Sequence, residues 1–334
     1  MPILTEKDQA TSTSSDSRRD LTALLGGCGI YKADRALVSL AGRDRVRWLN
    51  GMVTNNIRDL AAGHGVYAFV LNPQGHVLGD LYVFNRGESL MLEIERAQLD
   101  TLLAIFRKYI IMDKVEIEDL SDKLAVIGVA GAKSADVLAT LKVPLDLPYL
   151  KLLDTTWNAI PITLVRGDNP FALNYELFVA KDNAEAVSNA LFESGAGAVQ
   201  NESLEALRIL CGIPKFGQDI RERTLPQETG QERALNFTKG CYIGQEIVER
   251  IRSRGAVHRM FMGFELAGSV AAGTKIQSEG KDVGEITSVM DDPIKGKQLA
   301  LGYLRKEYAG GDKQLRAGEA IVKPVNLPLS GLFS

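Results

Sequence analysis

Cysteine and histidine are both scarce in this chain of 334 residues, with three of each. Cys28, Cys211 and Cys241 stand far apart and are odd in number. That excludes the disulfide framework of a small secreted protein and points to a reducing compartment. His64, His76 and His258 form no short-range cluster with them, so zinc-finger and HExxH spacings are missing and no metal site is expected. Three cysteines also fall short of the four thiolates of an iron–sulfur cluster, so the chain is not expected to hold one alone. Charge of one sign is lacking as well. Lys and Arg number 39 against 42 Asp and Glu, which excludes a global basic field directed at nucleic acid or a membrane. No apolar run is long enough to cross a bilayer.

Residues 1–20, rich in Ser and Thr, read as a mobile tail. Glu6, Asp8, Asp16 and Asp20 within them speak against an organellar transit peptide. Arg18-Arg19 ahead of Leu24-Leu25-Gly26-Gly27-Cys28 imitates a lipoprotein signal, but the apolar stretch is too short and starts after Asp20. A cytoplasmic protein is expected. Gly26-Gly27-Cys28-Gly29 has no strand before it, so it reads as a flexible entry to the fold.

What is present is a hydrophobic share of 45%, enough at this length to bury two or three cores. Strands are expected over 66–71, 77–84 and 90–94, broken by the turn residues Asn72-Pro73-Gln74-Gly75 and Asn85-Arg86-Gly87. Leu99, Leu102, Leu103, Phe106 and Ile110 recur at helical spacing. A second round follows, with strands over 124–129, 160–165 and 175–179 and helices over 132–141 and 184–193. Two α+β units with antiparallel sheets are the expectation. Gly128-Val129-Ala130-Gly131-Ala132-Lys133-Ser134 imitates a phosphate-binding loop, but Ala132 stands where that motif needs glycine, so it reads as a strand-to-helix turn. After residue 255 only short strands alternate with Gly- and Asp-rich turns, which suggests a small barrel or sandwich over 255–334.

The most informative stretch is Lys239-Gly240-Cys241-Tyr242-Ile243-Gly244-Gln245-Glu246. Ile247, Val248 and Ile251 share a helical face, so a helix starts near Gly244 and Cys241 precedes its positive end. That dipole and Lys239 both favour a thiolate, the reactive form of cysteine. A small buried hydrophobe is the other reading of an isolated cysteine. Glu246 and Arg250, four apart, read as a surface ion pair, and Tyr242 as core. Arg250, Arg252, Arg254 and Arg259 form either a rim for an anionic ligand or a solvated helix end.

The octapeptide resembles the signature of the YgfZ proteins and of their mitochondrial iron–sulfur assembly relatives, within the wider glycine-cleavage T-protein family. Residues 49–56, 71–81, Gly212-Ile213-Pro214, Leu225-Pro226-Gln227-Glu228, 284–288 and 301–303 are similar to the family at the corresponding places. The resemblance implies an α+β fold in a three-lobed ring, with two intertwined ferredoxin-like lobes over 21–254 around a bound tetrahydrofolate, or a one-carbon-substituted folate, and a C-terminal β-barrel. It places Asp80 at the reactive end of the folate, and Asp80 and Cys241 carry the chemistry. Glu228, Lys239, Tyr242, Gln245 and Arg250 join Asp80 as the implied cofactor-binding residues. One departure stands out. Leu210 replaces an acid that many relatives direct at the pterin, and a leucine offers no acceptor, a role Glu228 could take over.

Three functions remain open on this basis. The first is a folate-binding accessory protein for the assembly or repair of iron–sulfur clusters, including those of tRNA-modifying radical enzymes. Its partners are then folate and iron–sulfur enzymes or their assembly machinery, with no membrane; nucleic acid is a possible partner that it is not expected to contact directly. The second is a folate-dependent aminomethyl or methyl transferase. The third is a scaffold that keeps the fold without the ligand.

Overall fold

The computed structural model describes residues 21, 24–142, 145–169, 173–255, 257–291, 297–311 and 313–329. The tail read over residues 1–20 lies outside them. Contacts divide the chain into one unit of Met1–Ala68 with Asp80–Leu204 and a second of Phe69–Gly79 with Glu205–Ser334.

The first unit opens with strands β1 (Gly29–Lys32) and β2 (Arg35–Ala41) and helix α1 (Arg45–Met52). A meander of β3 (Gly65–Leu71), β4 (Val77–Asn85) and β5 (Leu90–Glu95), whose β3–β4 tip over Phe69–Gly79 counts with the second unit, leads to helix α2 (Leu99–Tyr109) and β6 (Glu116–Asp119). The second round runs through β7 (Leu124–Ala130), α3 (Ser134–Ala139), β8 (Leu152–Trp157), β9 (Ile160–Arg166), β10 (Asn174–Ala180), α4 (Ala184–Glu193) and β11 (Gly197–Ala198). Helix α5 (Asn201–Cys211) follows.

These strands make a five-stranded sheet, β3-β4-β5-β2-β6, and a six-stranded one, β11-β1-β7-β10-β9-β8. The first strand of the chain belongs to the second sheet, so the two α+β lobes are interleaved along the sequence. Apart from the parallel β1–β11 contact, the pairs of the six-stranded sheet are antiparallel. Ile127, Val129, Leu164 and Leu177 pack with Val137 and Leu138 of α3 and with Val187 and Leu191 of α4. Leu37, Phe84 and Met91 of one sheet pack with Val126, Val165 and Phe178 of the other, with the Phe84 and Phe178 rings edge to face at 6.2 Å. The periodicity read in α2 is real: Leu99, Leu102, Leu103 and Phe106 are all buried. Glu93 of β5 is also buried, 3.3 Å from Arg35.

Two expectations need correction. The helix read over 132–141 is only Ser134–Ala139, because the Ser134 hydroxyl donates back to Gly131 O at 2.7 Å and Lys142 adopts a φ of 56°. The Gly26–Gly29 segment is not a loose entry. Gly29 starts β1, Lys133 N donates to Gly27 O, and the Cys28 carbonyl accepts from Gly197 N at 2.9 Å.

In the second unit, helix α6 (Gln245–Arg254) precedes strands β12 (Arg259–Ala267), β13 (Lys275–Ser278), β14 (Lys281–Asp291), β15 (Gln298–Arg305), β16 (Leu315–Ala317) and β17 (Ala320–Val325). They form a closed barrel, β12-β15-β14-β13-β16-β17, completed by antiparallel pairing of β17 with β12. Closure removes the free sheet edges, and Met262, Phe264, Ile276, Ile286, Leu304 and Val322 fill the interior. A register shift between Ile286 and Ser288 makes Thr287 a bulge residue in β14. The Thr287 and Ser288 hydroxyls both donate to Asp219 Oδ1, and Arg208 Nη1 donates to Asp219 Oδ2 at 2.8 Å. Arg208 also holds Glu205 through Nε and Nη2, at 3.0 and 2.6 Å. Burial pushes the Glu205 carboxyl up, but the Arg208 hydrogen bonds and charge outweigh it and keep the group below its ordinary range.

Candidate functional site

In the second unit, Gln245 begins α6 and closes the turn before it from both sides. Its backbone N–H donates to Tyr242 O at 3.2 Å, and its side-chain Oε1 accepts from Tyr242 N at 3.3 Å. Gly244 has a φ of 84°, a left-handed conformation that glycine adopts without steric cost. A Cβ there would lie 2.7 Å from Asn72 O, so the β3–β4 turn packs directly on the start of the helix. Ile247 touches the same turn, since a Cβ on Gly75 would lie 2.7 Å from Ile247 Cβ.

This turn sorts the signature residues by burial. Lys239 and Tyr242 are buried, with the Lys239 ammonium 4.7 Å from the centre of the Tyr242 ring. Cys241 between them is exposed, as are Gly240 and Glu246. Lys239 thus sits over the Tyr242 ring. Burial, then Glu249, pushes the Tyr242 phenol up to about 12, so it stays protonated and neutral. The ion pair on the helix joins Glu249 to Arg252 at 3.6 Å rather than Glu246 to Arg250. Arg252 also stacks on Phe237 at 4.3 Å, while Arg250 is exposed.

Glu228 lies in the single helical turn Pro226–Glu228 and is buried. Its Oε2 accepts from Leu225 N at 3.2 Å and from Arg259 Nη2 at 2.9 Å. The Arg259 guanidinium lies over Tyr303 at 4.7 Å. Arg259 therefore serves Glu228 and leaves the arginine cluster read in the sequence. Leu210 is fully buried, as an aliphatic side chain without an acceptor should be.

In the first unit, Asp80 on β4 is held at both carboxylate oxygens. Oδ2 accepts from the Tyr67 hydroxyl at 2.5 Å and Oδ1 from Gln98 Nε2 at 2.7 Å. Gln98 Oε1 accepts in return from Asp80 N at 3.0 Å, which makes a two-point clamp. The Tyr67 ring lies 5.1 Å from that of Tyr82, whose hydroxyl donates to Asp168 at 3.0 Å. Tyr67 and Gln98 were not legible as site residues. Tyr67 looks like any aromatic in a strand, and Gln98 like a polar residue ahead of a helix. Among the described residues, no group of three or more His, Cys, Asp or Glu could hold a metal ion, and no helix is long and apolar enough to cross a membrane.

Residues 15–239 match the GCVT N-terminal domain, and residues 259–323 match the glycine cleavage T-protein C-terminal barrel domain. The glycine cleavage system aminomethyltransferase T of Bartonella henselae superposes with a TM-score of 0.85 over 94% of this chain and 89% of that one, at 19% identity. The architecture is thus that of a T protein, an α+β fold with a closed six-stranded barrel. The tRNA-modifying protein YgfZ of Yersinia pseudotuberculosis is 34% identical over 257 residues, 75% of this chain and 73% of that one. A chloroplastic protein of Arabidopsis thaliana that carries a transferase name is 24% identical over 287 residues. That match takes in 85% of this chain and 66% of the plant protein, slightly less than two thirds of it. The chain belongs to the glycine-cleavage T-protein family, among its YgfZ-type members.

Proposed function

We propose that this chain is a folate-binding accessory protein that supports iron–sulfur cluster assembly or repair, including in enzymes that modify tRNA, through the exposed thiol of Cys241. The carrying observation is the position of Cys241, exposed on a locked turn between the buried Lys239 and Tyr242. A thiol held outward in this way is suited to a macromolecular partner, an iron–sulfur enzyme or its assembly machinery, in a reducing cytoplasm. The tRNA-modifying name of the Yersinia relative supports the same reading.

The residues present suit a reduced folate at one end. Each Asp80 oxygen accepts one side-chain hydrogen bond and has a second lone pair for a pterin N–H. Gln98 and Tyr67 fix the direction in which that lone pair points. Leu210 adds no acceptor, but Glu228, whose Oε2 is taken by Arg259 and Leu225 N, keeps its Oε1 for the role the leucine gives up. A bound reduced folate would supply a one-carbon unit or the nitrogen that accepts one. Asp80 orients it, and Cys241 is reserved for the protein partner.

Titration calorimetry with tetrahydrofolate, together with rescue of a tRNA-modifying iron–sulfur enzyme in cells lacking their own relative, tests this. Asp80→Asn should weaken folate at least about tenfold, the loss of roughly one charge-assisted hydrogen bond. Cys241→Ser should bind folate like wild type yet fail to rescue. Rescue by Cys241→Ser would remove the thiol from the function. One-carbon transfer lost in Asp80→Asn and kept in Cys241→Ser would favour a transferase. No thermal stabilisation by excess folate would leave a scaffold.

A further inference from the structure

Ile111 and Met112 are 83% and 91% exposed, far more than apolar side chains in a folded protein usually are, and they stand side by side in the loop between α2 and β6. Tyr109 beside them is also exposed. Both ends of the loop are tied down. Trp48 Nε1 donates to Tyr109 O at 3.1 Å, Lys114 N donates to Asp44 Oδ2 at 2.8 Å, and Asp44 N donates to Lys114 O at 3.2 Å. The Arg47 guanidinium binds Asp113. The two side chains are therefore held out by a braced tip.

The surroundings of the tip are basic. Arg107 and Lys108 lie in the last turn of α2, Lys114 follows the apolar pair, Arg43 precedes α1 and Arg47 lies in its first turn. Against these five cations stand three acids: Asp44, paired with Arg43 and Arg47, Asp113, paired with Arg47, and the exposed Glu116 at the start of β6, which leaves the patch net positive. This local excess occurs in a chain whose net charge is −3.

We propose that this loop is a docking tip for an anionic lipid surface. Ile111 and Met112 enter the headgroup region, and the collar of Arg43, Arg47, Arg107, Lys108 and Lys114 meets the lipid phosphates. The contact is peripheral and does not span the bilayer. Apolar insertion and Coulomb attraction act together there, each basic residue near an anionic leaflet adding to the affinity. The charge disfavours a second copy of this chain, which would bring two basic collars together. A protein partner would need a concave groove matched to a tip this exposed, whereas a fluid bilayer moulds to it. RNA bases stack on aromatic faces, and the two outermost side chains here are aliphatic.

The test is co-sedimentation of the full chain with phosphatidylcholine vesicles, with and without roughly 30% phosphatidylglycerol to give the surface a negative potential. Binding is expected to the anionic vesicles alone and to fade with added salt. Ile111→Ser with Met112→Ser should weaken it about tenfold at an unchanged melting temperature, because neither side chain is buried. Arg107→Glu with Lys108→Glu should do the same through charge. No binding to anionic vesicles, or equal binding by the serine variant, overturns the proposal. A dimer that the serine variant dissolves, or binding to a tRNA transcript that it loses, overturns it in favour of that other occupant.

Discussion

The Cα of Gly75 lies 3.2 Å from the point a Cβ on Gly244 would occupy, so the β3–β4 turn and the start of α6 meet backbone to backbone. Both glycines have positive φ, 76° and 84°. Alanine at Gly244 combines left-handed strain with a methyl 2.7 Å from Asn72 O, a carbonyl that cannot swing aside as a side chain would. Gly244→Ala is expected to destabilise the second unit by about 1–3 kcal/mol. Calorimetry should show this as a melting transition several degrees lower. An unchanged transition would mean that the turn is free to move away.

Asp219 should be the most sensitive polar position in the barrel unit. It is fully buried and bonded to Arg208, Thr287, Ser288 and the Lys215 N–H. Removing one member of a buried pair leaves the other charge uncompensated, at a cost of about 3–5 kcal/mol. Asp219→Ala should therefore lose far more stability in denaturant than Thr287→Val, which removes one hydroxyl and costs about 1 kcal/mol. Similar losses in the two variants would show that the network does not hold the bulge of β14.

Glu93 gives the first unit a pH dependence. Burial, then the charge of Glu176, pushes its carboxyl well above the ordinary range, and Arg35 opposes this only in part. Tyr31 faces the same groups. A raised folded-state pKa favours the protonated acid in the native protein. The stability it contributes is full below the ordinary carboxylate range and is lost as pH rises through the raised value. Glu93→Gln keeps a donor toward Glu176 and does not ionise. The variant should equal wild type in acid and exceed it at alkaline pH in thermal melts. Parallel pH profiles for the two proteins would assign the dependence to other groups.

The parts of the fold that depend on local periodicity were legible in the chain. Leu99, Leu102, Leu103 and Phe106 mark α2, and the start of α6 beside Gly244 falls where the sequence placed it. What local pattern cannot carry is pairing between distant segments. Nothing in Gly29–Lys32 says that it joins β7 while Arg35–Ala41 joins β5, because that choice is made by strands about fifty to a hundred residues away. The site divides the same way. The signature showed where Cys241 lies relative to α6, but its exposure depends on how Lys239 and Tyr242 are buried. Asp80 was named by resemblance, whereas its clamp by Gln98 and Tyr67 is a tertiary contact that leaves no mark on spacing.

The three cysteines should separate cleanly by reactivity. Cys241 is exposed, while Cys28 and Cys211 are buried. Burial, against a weaker hydrogen bond from Ser134, pushes the Cys28 thiol up, so it is both shielded and protonated. A maleimide should modify one thiol of the native protein quickly and all three only after unfolding, and Cys241→Ser should abolish the fast phase. The buried thiols wait on local opening, so their rates should track denaturant concentration while that of Cys241 does not. A slow Cys241 would mean that the turn between Lys239 and Tyr242 closes over the sulfur in solution, and the role proposed for the thiol would then require a partner to open it.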